Sequence, residues 1–308
     1  MAGPPSPLVA AVVLVYNRWG LVPRCLPALF DSTYRNLQIL VVDNGSSVPV
    51  PDDIRPLLEP CTILRTPRNL GYAGGNNVGI ARALGLGAEY VLLINDDAYV
   101  GKECVEKLVA AMVADPRAGA VGPLVLDARE PGIVQSAGGL WDRRKLRGHH
   151  RDRGVADRGQ YDRVLPSDFV DGCCILLRSS ALPRVGVLDE AFFLYYEEAE
   201  LCHRLRTAGY SCLVVPWARV EHEGPRRGTR GSPVTSYFSH RNRFLFLRKT
   251  SAGWRRAARL ARALGSEAPA IGRYLAHPTD SWEKARLRGV IDGIRGVQGP
   301  GPAWIFKT

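Results

Sequence analysis

The run Tyr90-Val91-Leu92-Leu93-Ile94 is followed at once by Asn95-Asp96-Asp97-Ala98. An unbroken apolar run of this length, with no polar alternation, fits a strand covered on both faces, as in the middle of a parallel sheet. Such a strand delivers its acids at the C-terminal edge, where open α/β sheets bind their ligands. Adjacent carboxylates repel each other there and need a cation or a donor-rich partner. A hard divalent cation, Mg²⁺ or Mn²⁺, shared with substrate phosphates meets that need. The plainer alternative is a helix N-cap, because Asp favours that position and Gly101-Lys102-Glu103-Cys104 reads as a helix start.

The residues upstream supply a sheet for that strand. Leu8–Tyr16 is a β-branched-rich strand ending in Tyr16-Asn17-Arg18, and Leu21–Phe30 is a helix with Pro23 in its first turn, where a missing N–H is harmless. Gln38–Val42 is a second buried strand, closing on Asp43-Asn44-Gly45-Ser46-Ser47. Strand, helix and strand at this spacing form a βαβ unit and imply a parallel sheet. Asp43 then stands in the crevice, where an acid can take hydroxyl or imide hydrogens of a nucleoside. Asp-Asn-Gly-Ser is equally good Asx-turn chemistry. After a short strand at Ile63–Arg65, the segment Arg68–Ile80 is rich in glycine and leads into a helix through Leu86. Glycines ahead of a helix allow close backbone approach to a ligand, and helix N-terminal amides favour anions. Neither the GxGxxG nor the GK[ST] spacing is present. A glycine-rich loop with no ligand is the alternative.

Downstream, Lys102–Ala114 reads as a helix and Ala120–Leu126 as a strand. Residues 138–163 are polar, with charges of both signs, and read as a long mobile loop; His149-His150 within it lack a matching metal partner. Asp168–Arg178 is expected to be a strand with Gly172 at a tight point. A helix is expected from Glu197 to Ala208, with Gly209 beyond its end. At 100° per residue Leu194, Leu201, Leu205 and Ala208 share one stripe. Glu198 lies on the edge of that stripe, facing the body, whereas Glu200 faces away and has Arg204 as its i+4 partner. Glu197 lies between them. Ser211–Pro216 is a last strand, and His222 after it can return to the edge that carries Asp97.

With 308 residues, 46% of them hydrophobic, the chain can bury one large domain with an extension, or two. The division expected is a body over 1–225 and a helical extension over 226–308, because charge is split there. Residues 226–308 hold 17 Lys and Arg against 4 Asp and Glu, whereas residues 1–225 hold 24 against 26. A basic extension suits an anionic membrane surface or a phosphorylated acceptor, and no nucleic-acid-binding motif accompanies it. Within it Trp254, Ala257, Ala258, Ala261 and Leu264 form an apolar stripe opposed by Arg255, Arg256, Arg259 and Arg262. That pattern fits an interfacial helix or one packed on the body. Seven cysteines with no CxxC pair argue for reduced, mostly buried thiols rather than zinc or disulfides. No apolar run reaches the roughly 18 residues of a membrane span. Met1–Pro7 lack the basic start of a secretion signal, so a cytoplasmic, at most peripherally membrane-bound, protein is expected.

Taken in order, Val42–Ser46, Asn69–Ile80, Leu93–Ala98 and Phe192–Arg206 resemble the inverting family-2 glycosyltransferases of the GT-A fold. With His222, Arg241-Asn242 and Arg288–Gly293 following, the chain is similar to their bacterial rhamnosyltransferase-like branch over residues 8 to about 296. The resemblance implies an α/β fold: a Rossmann-like, mostly parallel central sheet flanked by helices, with a basic helical C-terminal extension. It implies transfer of a sugar from a nucleotide-diphosphate donor (dTDP-rhamnose or another dTDP- or UDP-sugar) to an acceptor hydroxyl, in one metal-assisted displacement. On the donor side it places Asp43 on the nucleobase or ribose, helped by Tyr16, Asn17, Arg68, Asn69, Gly75 and Asn76. Asn95-Asp96-Asp97 correspond to the DxD-type motif, with Asp97 the direct Mg²⁺ or Mn²⁺ ligand and His222 the second. Asn95 replaces the first acid of the motif. Glu198 stands where relatives usually carry an Asp general base, and Gly172, Glu197, Arg241 and Asn242 fall on the acceptor or diphosphate side.

Acceptors of this class include glycans, lipid-linked saccharides and natural-product aglycones. Two other classes are weighed. One is a non-catalytic nucleotide-sugar-binding subunit. The other is a sugar-nucleotide nucleotidyltransferase, for which a glycine-rich loop with a basic residue is expected near the first strand, where this chain has Tyr-Asn-Arg. A paired-acid hydrolase would leave the nucleotide-holding elements without purpose.

Overall fold

A computed structural model describes residues 6–224 and 230–306; the expected division at 225/226 and the first five residues of Met1–Pro7 lie outside the described residues. The chain runs β1 (Val9–Val15), α1 (Val22–Phe30), β2 (Leu37–Asp43), the single-turn α2 (Arg55–Leu58), β3 (Thr62–Arg65), α3 (Gly71–Gly85), β4 (Tyr90–Asn95), β5 (Ala98–Val100), α4 (Cys104–Ala114) and β6 (Ala118–Asp127). Short strands follow: β7 (Val134–Ser136), β8 (Gly139–Asp142), β9 (Arg147–His150), β10 (Leu165–Pro166) and β11 (Cys174–Arg178). The short α5 (Leu182–Val185), α6 (Glu197–Thr207) and the long β12 (Ser211–His222) complete the sheet region. The C-terminal helices are α7 (Pro233–Lys249), α8 (Gly253–Gly265), α9 (Ala268–Ala276) and α10 (Ser281–Arg295).

One mixed sheet organises these elements. Its β3-β2-β1-β4 half is parallel, and β11 runs antiparallel between β4 and β6. The central strands are apolar on both faces because helices cover both. Val9, Ala11 and Val13 of β1 pack toward one core cluster with α1 and α4, and Ala10 and Val12 toward another with α3 and α6. Each buried Val or Leu there contributes about 1.5–3 kcal/mol. The register sets Val15 against Asp43 and Leu14 against Asn95. Three acidic or amide-rich strand ends therefore share one edge.

Four expectations change. The glycines of Gly71–Gly79 lie inside α3, not ahead of it. A Cβ on Gly75 would sit 2.5 Å from Leu14 Cδ1, and one on Gly79 2.2 Å from Val12 Cγ1, so these glycines let the helix lie flat on the sheet. Residues 138–163 are not a single loop, for β8 and β9 pair as a hairpin with Gly139 opposite His150. The strand expected at Asp168–Arg178 joins the sheet only from Cys174. β12 is longer than expected. It shifts register between Val215 and Arg219 and continues to His222, which pairs with Ala98 and so stands beside Asp97.

The C-terminal helices close the far side. Gly289 and Gly293 let α10 cross α7 closely: a Cβ there would lie 2.4 Å from the Tyr237 carbonyl oxygen and 2.8 Å from that of Arg241. Leu245 and Phe246 of α7 enter the core beneath the sheet. α8 touches the body through Ala263 and Leu260, while Trp254, Ala257, Ala258, Ala261 and Leu264 stay exposed. The apolar stripe of this helix therefore faces outward. Among the described residues no helix is long and apolar enough to cross a membrane.

Candidate active site

A cavity of about 770 Å³ opens at the shared strand edge, where His222 also lies, and is walled on its other side by residues 171–173, 193–195, 197 and 198. β4 ends on Asn95 and turns sharply into β5, which leaves Asp96 and Asp97 in the turn. Arg18, just past the end of β1, reaches both acids, with Nη2 2.7 Å from Asp97 Oδ2 and Nη1 3.4 Å from Asp96 Oδ1. His222 Nε2 lies 3.2 Å from Asp97 Oδ1. Gln135 on β7 fixes that imidazole: its Nε2 donates to the His222 carbonyl at 2.8 Å, and its Oε1 lies 3.0 Å from His222 Nδ1. An amide so oriented takes the Nδ1 proton, so in the neutral ring Nε2 presents a lone pair to Asp97.

The two acids differ electrostatically. Burial pushes Asp96 up to about 7, with the charge of Asp97 adding to it and Arg18 opposing. Burial also acts upward on Asp97, but His222 and Arg18 outweigh it and hold this carboxyl below its ordinary range. His222 is the converse: burial disfavours its charge, and Asp97, with Asp171, raises its pKa.

Asp97 Oδ1 is buried and makes no hydrogen bond, although it faces the His222 nitrogen. Protonated, the imidazole pairs with that oxygen; neutral, its lone pair and the carboxylate could hold a cation between them. Among the described residues no group of three or more His, Cys, Asp or Glu is placed to hold an ion. Asp97 and His222 could supply two ligands of a shell that diphosphate oxygens and water would complete.

The opposite wall is built differently. Phe193, Tyr195 and Tyr196 all have positive φ, at 64°, 68° and 77°. Such backbone costs on the order of 1–3 kcal/mol per residue unless its surroundings enforce it. Asn242 Nδ2 donates to the carbonyls of Phe192, Leu194 and Tyr195 at 2.9, 2.7 and 2.7 Å, and Arg241 Nη2 donates to Phe192 at 2.6 Å. Arg241 Nε in turn donates to Asn242 Oδ1 at 2.8 Å. The chain leaves this brace directly into α6, whose first turn carries Glu197 and Glu198.

Glu198 lines the cavity against Gly172, whose carbonyl accepts from the Tyr72 hydroxyl at 2.5 Å. Burial pushes Glu198 up to about 7, with the charge of Asp171 adding to it. Burial and then Glu198 drive Glu197 well above the usual range, and Glu197 Oε2 has no hydrogen-bond partner. Among the described residues no Arg, Lys or His pairs with either glutamate. A carboxylate near neutrality, open to the cavity, can remove a proton at physiological pH.

The cavity brings together Tyr16, Asn69, Asn95, Asp96, Asp97, Gly172, Glu197, Glu198 and His222. Other expected site residues lie outside its lining. Asp43 spends Oδ1 on the Ser46 N–H at 2.9 Å and has Arg65 3.4 Å from Oδ2, which is the Asx-turn alternative. Asn17 Oδ1 accepts from the N–H groups of Ser47 and Val48. Arg68 is exposed on the rim, Gly75 is covered by Leu14 and Asn44, and Asn76 is buried with Nδ2 on the Tyr72 carbonyl. Arg241 and Asn242, expected on the acceptor or diphosphate side, are fully buried, because the turned-in carbonyls of residues 192–195 demand donors there. Glu200 is paired with Arg204 at 2.8 Å as expected, though buried.

Four contributors were not expected. Arg18 was legible as a base following a strand end that neighbours two acids, and Asn44 as the residue next to Asp43. Gln135 and Asp171 carried no signal, since their roles depend on β7 pairing with β6 and on the turn before β11.

The model of Glycosyl transferase family 2 matches residues 10–185. The N-acetylglucosaminyl-diphospho-decaprenol L-rhamnosyltransferase of Mycobacterium tuberculosis (strain ATCC 25618 / H37Rv) is 28% identical over 276 residues, 81% of this chain and 87% of that protein. The dTDP-rhamnosyl transferase RfbF of Shigella flexneri is 24% identical over 315 residues, 95% and 97% of the two chains. Among solved structures, GalNAc-T7 with UDP, GalNAc and Mn²⁺ superposes with a TM-score of 0.62 at 16% identity, covering 79% of this chain and 48% of that one. The mannosyltransferase PcManGT from Pyrobaculum calidifontis in complex with GDP-Man and Mn²⁺ gives 0.58 at 16% identity, over 94% and 87%. The chain belongs to glycosyl transferase family 2, on its rhamnosyltransferase-like side, and is a glycosyltransferase of the GT-A fold.

Proposed function

We propose that the protein transfers L-rhamnose, or a related sugar, from a dTDP or UDP donor to an acceptor hydroxyl with inversion, using a divalent cation and Glu198 as general base. The observation that carries this reading is one cavity faced by Asp97, which Arg18 and His222 contact, and by Glu198, with which no described Arg, Lys or His pairs. The sugar follows the Shigella relative, whose name specifies dTDP-rhamnosyl transfer. The acceptor follows the Mycobacterium relative, whose name specifies a diphospho-decaprenol-linked saccharide, and the basic extension suits such a phosphorylated lipid at a membrane surface.

Asp97 and His222 would hold the cation, with Gln135 keeping the imidazole in the ligating tautomer. When bound, Mg²⁺ or Mn²⁺ neutralises the charge gathering on the leaving diphosphate. Arg18, now on both acids, is within reach to turn toward the same phosphates. Tyr16, Asn44 and Asn69 line the nucleoside end. Across the cavity Glu198 takes the acceptor proton as the hydroxyl attacks the anomeric carbon. Burial and the neighbouring Glu198 raise Glu197, which disfavours a second charge beside the base. With Glu198 as base on the acceptor side, the attack needs no carboxylate nucleophile, and a single displacement would invert the anomeric centre.

A thermal-shift panel of nucleotide sugars, with and without Mn²⁺, tests the donor. A ligand at 100 times its dissociation constant adds about 2.7 kcal/mol. A metal-dependent shift with one donor supports the reading and identifies the donor. No shift with any nucleoside-diphosphate sugar overturns it. NMR of the product's anomeric signal tests inversion.

A further inference from the structure

A second cavity, of about 670 Å³, opens between the β8–β9 hairpin, α6 and the α7–α8 turn. Its floor is aromatic: Trp141 packs on Phe246 with 4.5 Å between ring centroids, and Phe169 and Ala199 complete it. Its mouth carries Arg143, Arg206, Arg259 and Arg262, all exposed. Asp168 is the one acid in the lining, and it is already engaged by Arg206 at 2.7 Å and by the Trp141 N–H at 2.8 Å.

The acids of the extension cannot neutralise the remaining arginines. Glu267 is held by Arg243 and Arg286, Asp280 by Arg230, Glu283 by Arg230 and Arg273, and Asp292 by Arg288. Arg262 is anchored instead on the carbonyls of Arg143 and Arg144, and Arg259 on that of Thr250. Carbonyls orient a guanidinium without cancelling its charge. His203, beside Phe246, senses the resulting field: burial lowers its pKa, and Arg206 and Arg259 lower it further against the opposing pull of Glu200.

Several uncompensated guanidiniums over an aromatic floor suit an anion that carries an apolar chain. Guanidinium forks bind phosphate oxygens in pairs, and the rings take the chain. α8 adds an independent observation. It lends Arg259 and Arg262 to the mouth while turning Trp254, 77% exposed, with Ala257, Ala261 and Leu264 away from the body. A helix with that apolar face outward lies naturally at a water–hydrocarbon boundary, which sets the cavity mouth there.

We propose that this second cavity binds the diphosphate and first isoprene units of a polyprenyl-diphosphate carrier. Its place in the fold gives that binding a purpose. Glu198 and Ala199 are successive residues of α6 facing the first and second cavity, and His150 of the first packs edge-on against Phe169 of the second. A saccharide linked to a diphosphate held here is directed toward Glu198. That use of the site rests on the acceptor class proposed above.

The test is calorimetric titration of the full chain with farnesyl diphosphate in EDTA, which removes the metal-dependent diphosphate site. Binding is expected, with inorganic pyrophosphate at least tenfold weaker. The Arg259→Glu/Arg262→Glu variant should bind farnesyl diphosphate at least tenfold more weakly. Both residues are exposed, and the Mn²⁺-dependent shift with the nucleotide sugar should persist in this variant, which reports that it is folded. Unchanged farnesyl diphosphate affinity in the variant overturns the proposal. Equal affinity for pyrophosphate also overturns it, leaving a plain anion site. Displacement of the probe by phosphatidylglycerol vesicles at equal phosphate concentration reassigns the cavity to bulk lipid headgroups. Should the nucleotide-sugar shift be missing from the wild type while farnesyl diphosphate binds, the transferase reading fails and the lipid site stands.

Discussion

Asp97 and Glu198 face one cavity from opposite walls, and the fold treats these two acids in opposite ways, although Asp96 beside Asp97 is also raised, to about 7. Asp96-Asp97 sit at the end of a buried strand with Arg18 and His222 upon them, and Asp97 is held ionised. Glu197-Glu198 begin a helix after a strained loop, with no cationic partner among the described residues, and burial raises both. On the reading proposed above, the compensated Asp97 would serve as a ligand and Glu198, without such compensation, as a base. The difference comes from the elements behind each pair. A strand end presents its acids to the neighbouring strand ends, whereas the α6 start is aimed by Arg241 and Asn242, which face away from the cavity.

The comparison can be broken in five ways, from the largest effect to the smallest. Glu198→Gln should lower transfer by about 10²–10⁴-fold, the usual worth of a general base, in steady-state assays; near-wild-type turnover would move the base elsewhere. In the wild type, turnover should fall as pH drops below about 7, since the base works deprotonated. Arg241→Lys keeps the charge but loses the fork that clamps the loop. It should reduce kcat by roughly 10²-fold through misplacement of Glu198, with Mn²⁺-dependent donor affinity unaltered in calorimetry. Equal losses in both would mean a general folding defect.

Gln135→Leu removes the group that orients His222, and Mn²⁺ affinity in the presence of donor should drop by about 10–100-fold. The smallest effect is on stability. Glu198 has a raised pKa in the folded state, so its contribution is full at low pH and is lost as pH rises through about 7. Glu198→Gln should therefore be on the order of 1–3 kcal/mol more stable than wild type at pH 8 in denaturant melts, and close to it at pH 5. A variant less stable at pH 8 would show that the glutamate is compensated after all.

The strand side of the site was legible because an unbroken apolar run ending on acids has few other interpretations, and β1, β2 and β4 follow it closely. The return of His222 to the edge that carries Asp97 was expected, but the bulge that takes β12 past Pro216 to get there leaves no mark in residue type. The glycines of α3 point to close approach. Whether a ligand or a sheet comes close depends on Val12 and Leu14, some sixty residues away in sequence. Arg241 and Asn242 were misplaced for a related reason: their partners are backbone carbonyls near residue 193, and carbonyls have no sequence signature. Amphipathicity in α8 revealed a stripe but could not say on which side of it the body lies.

The division between the two acid pairs is tested most directly by calorimetric donor binding, with saturating Mn²⁺, to Asp97→Asn and Glu198→Gln side by side. Asp97→Asn should lose the metal-dependent part of the affinity, and Glu198→Gln should bind like wild type while failing to transfer. If both variants bind equally well, or both fail to bind, the two pairs do not divide the work between cation and proton as described.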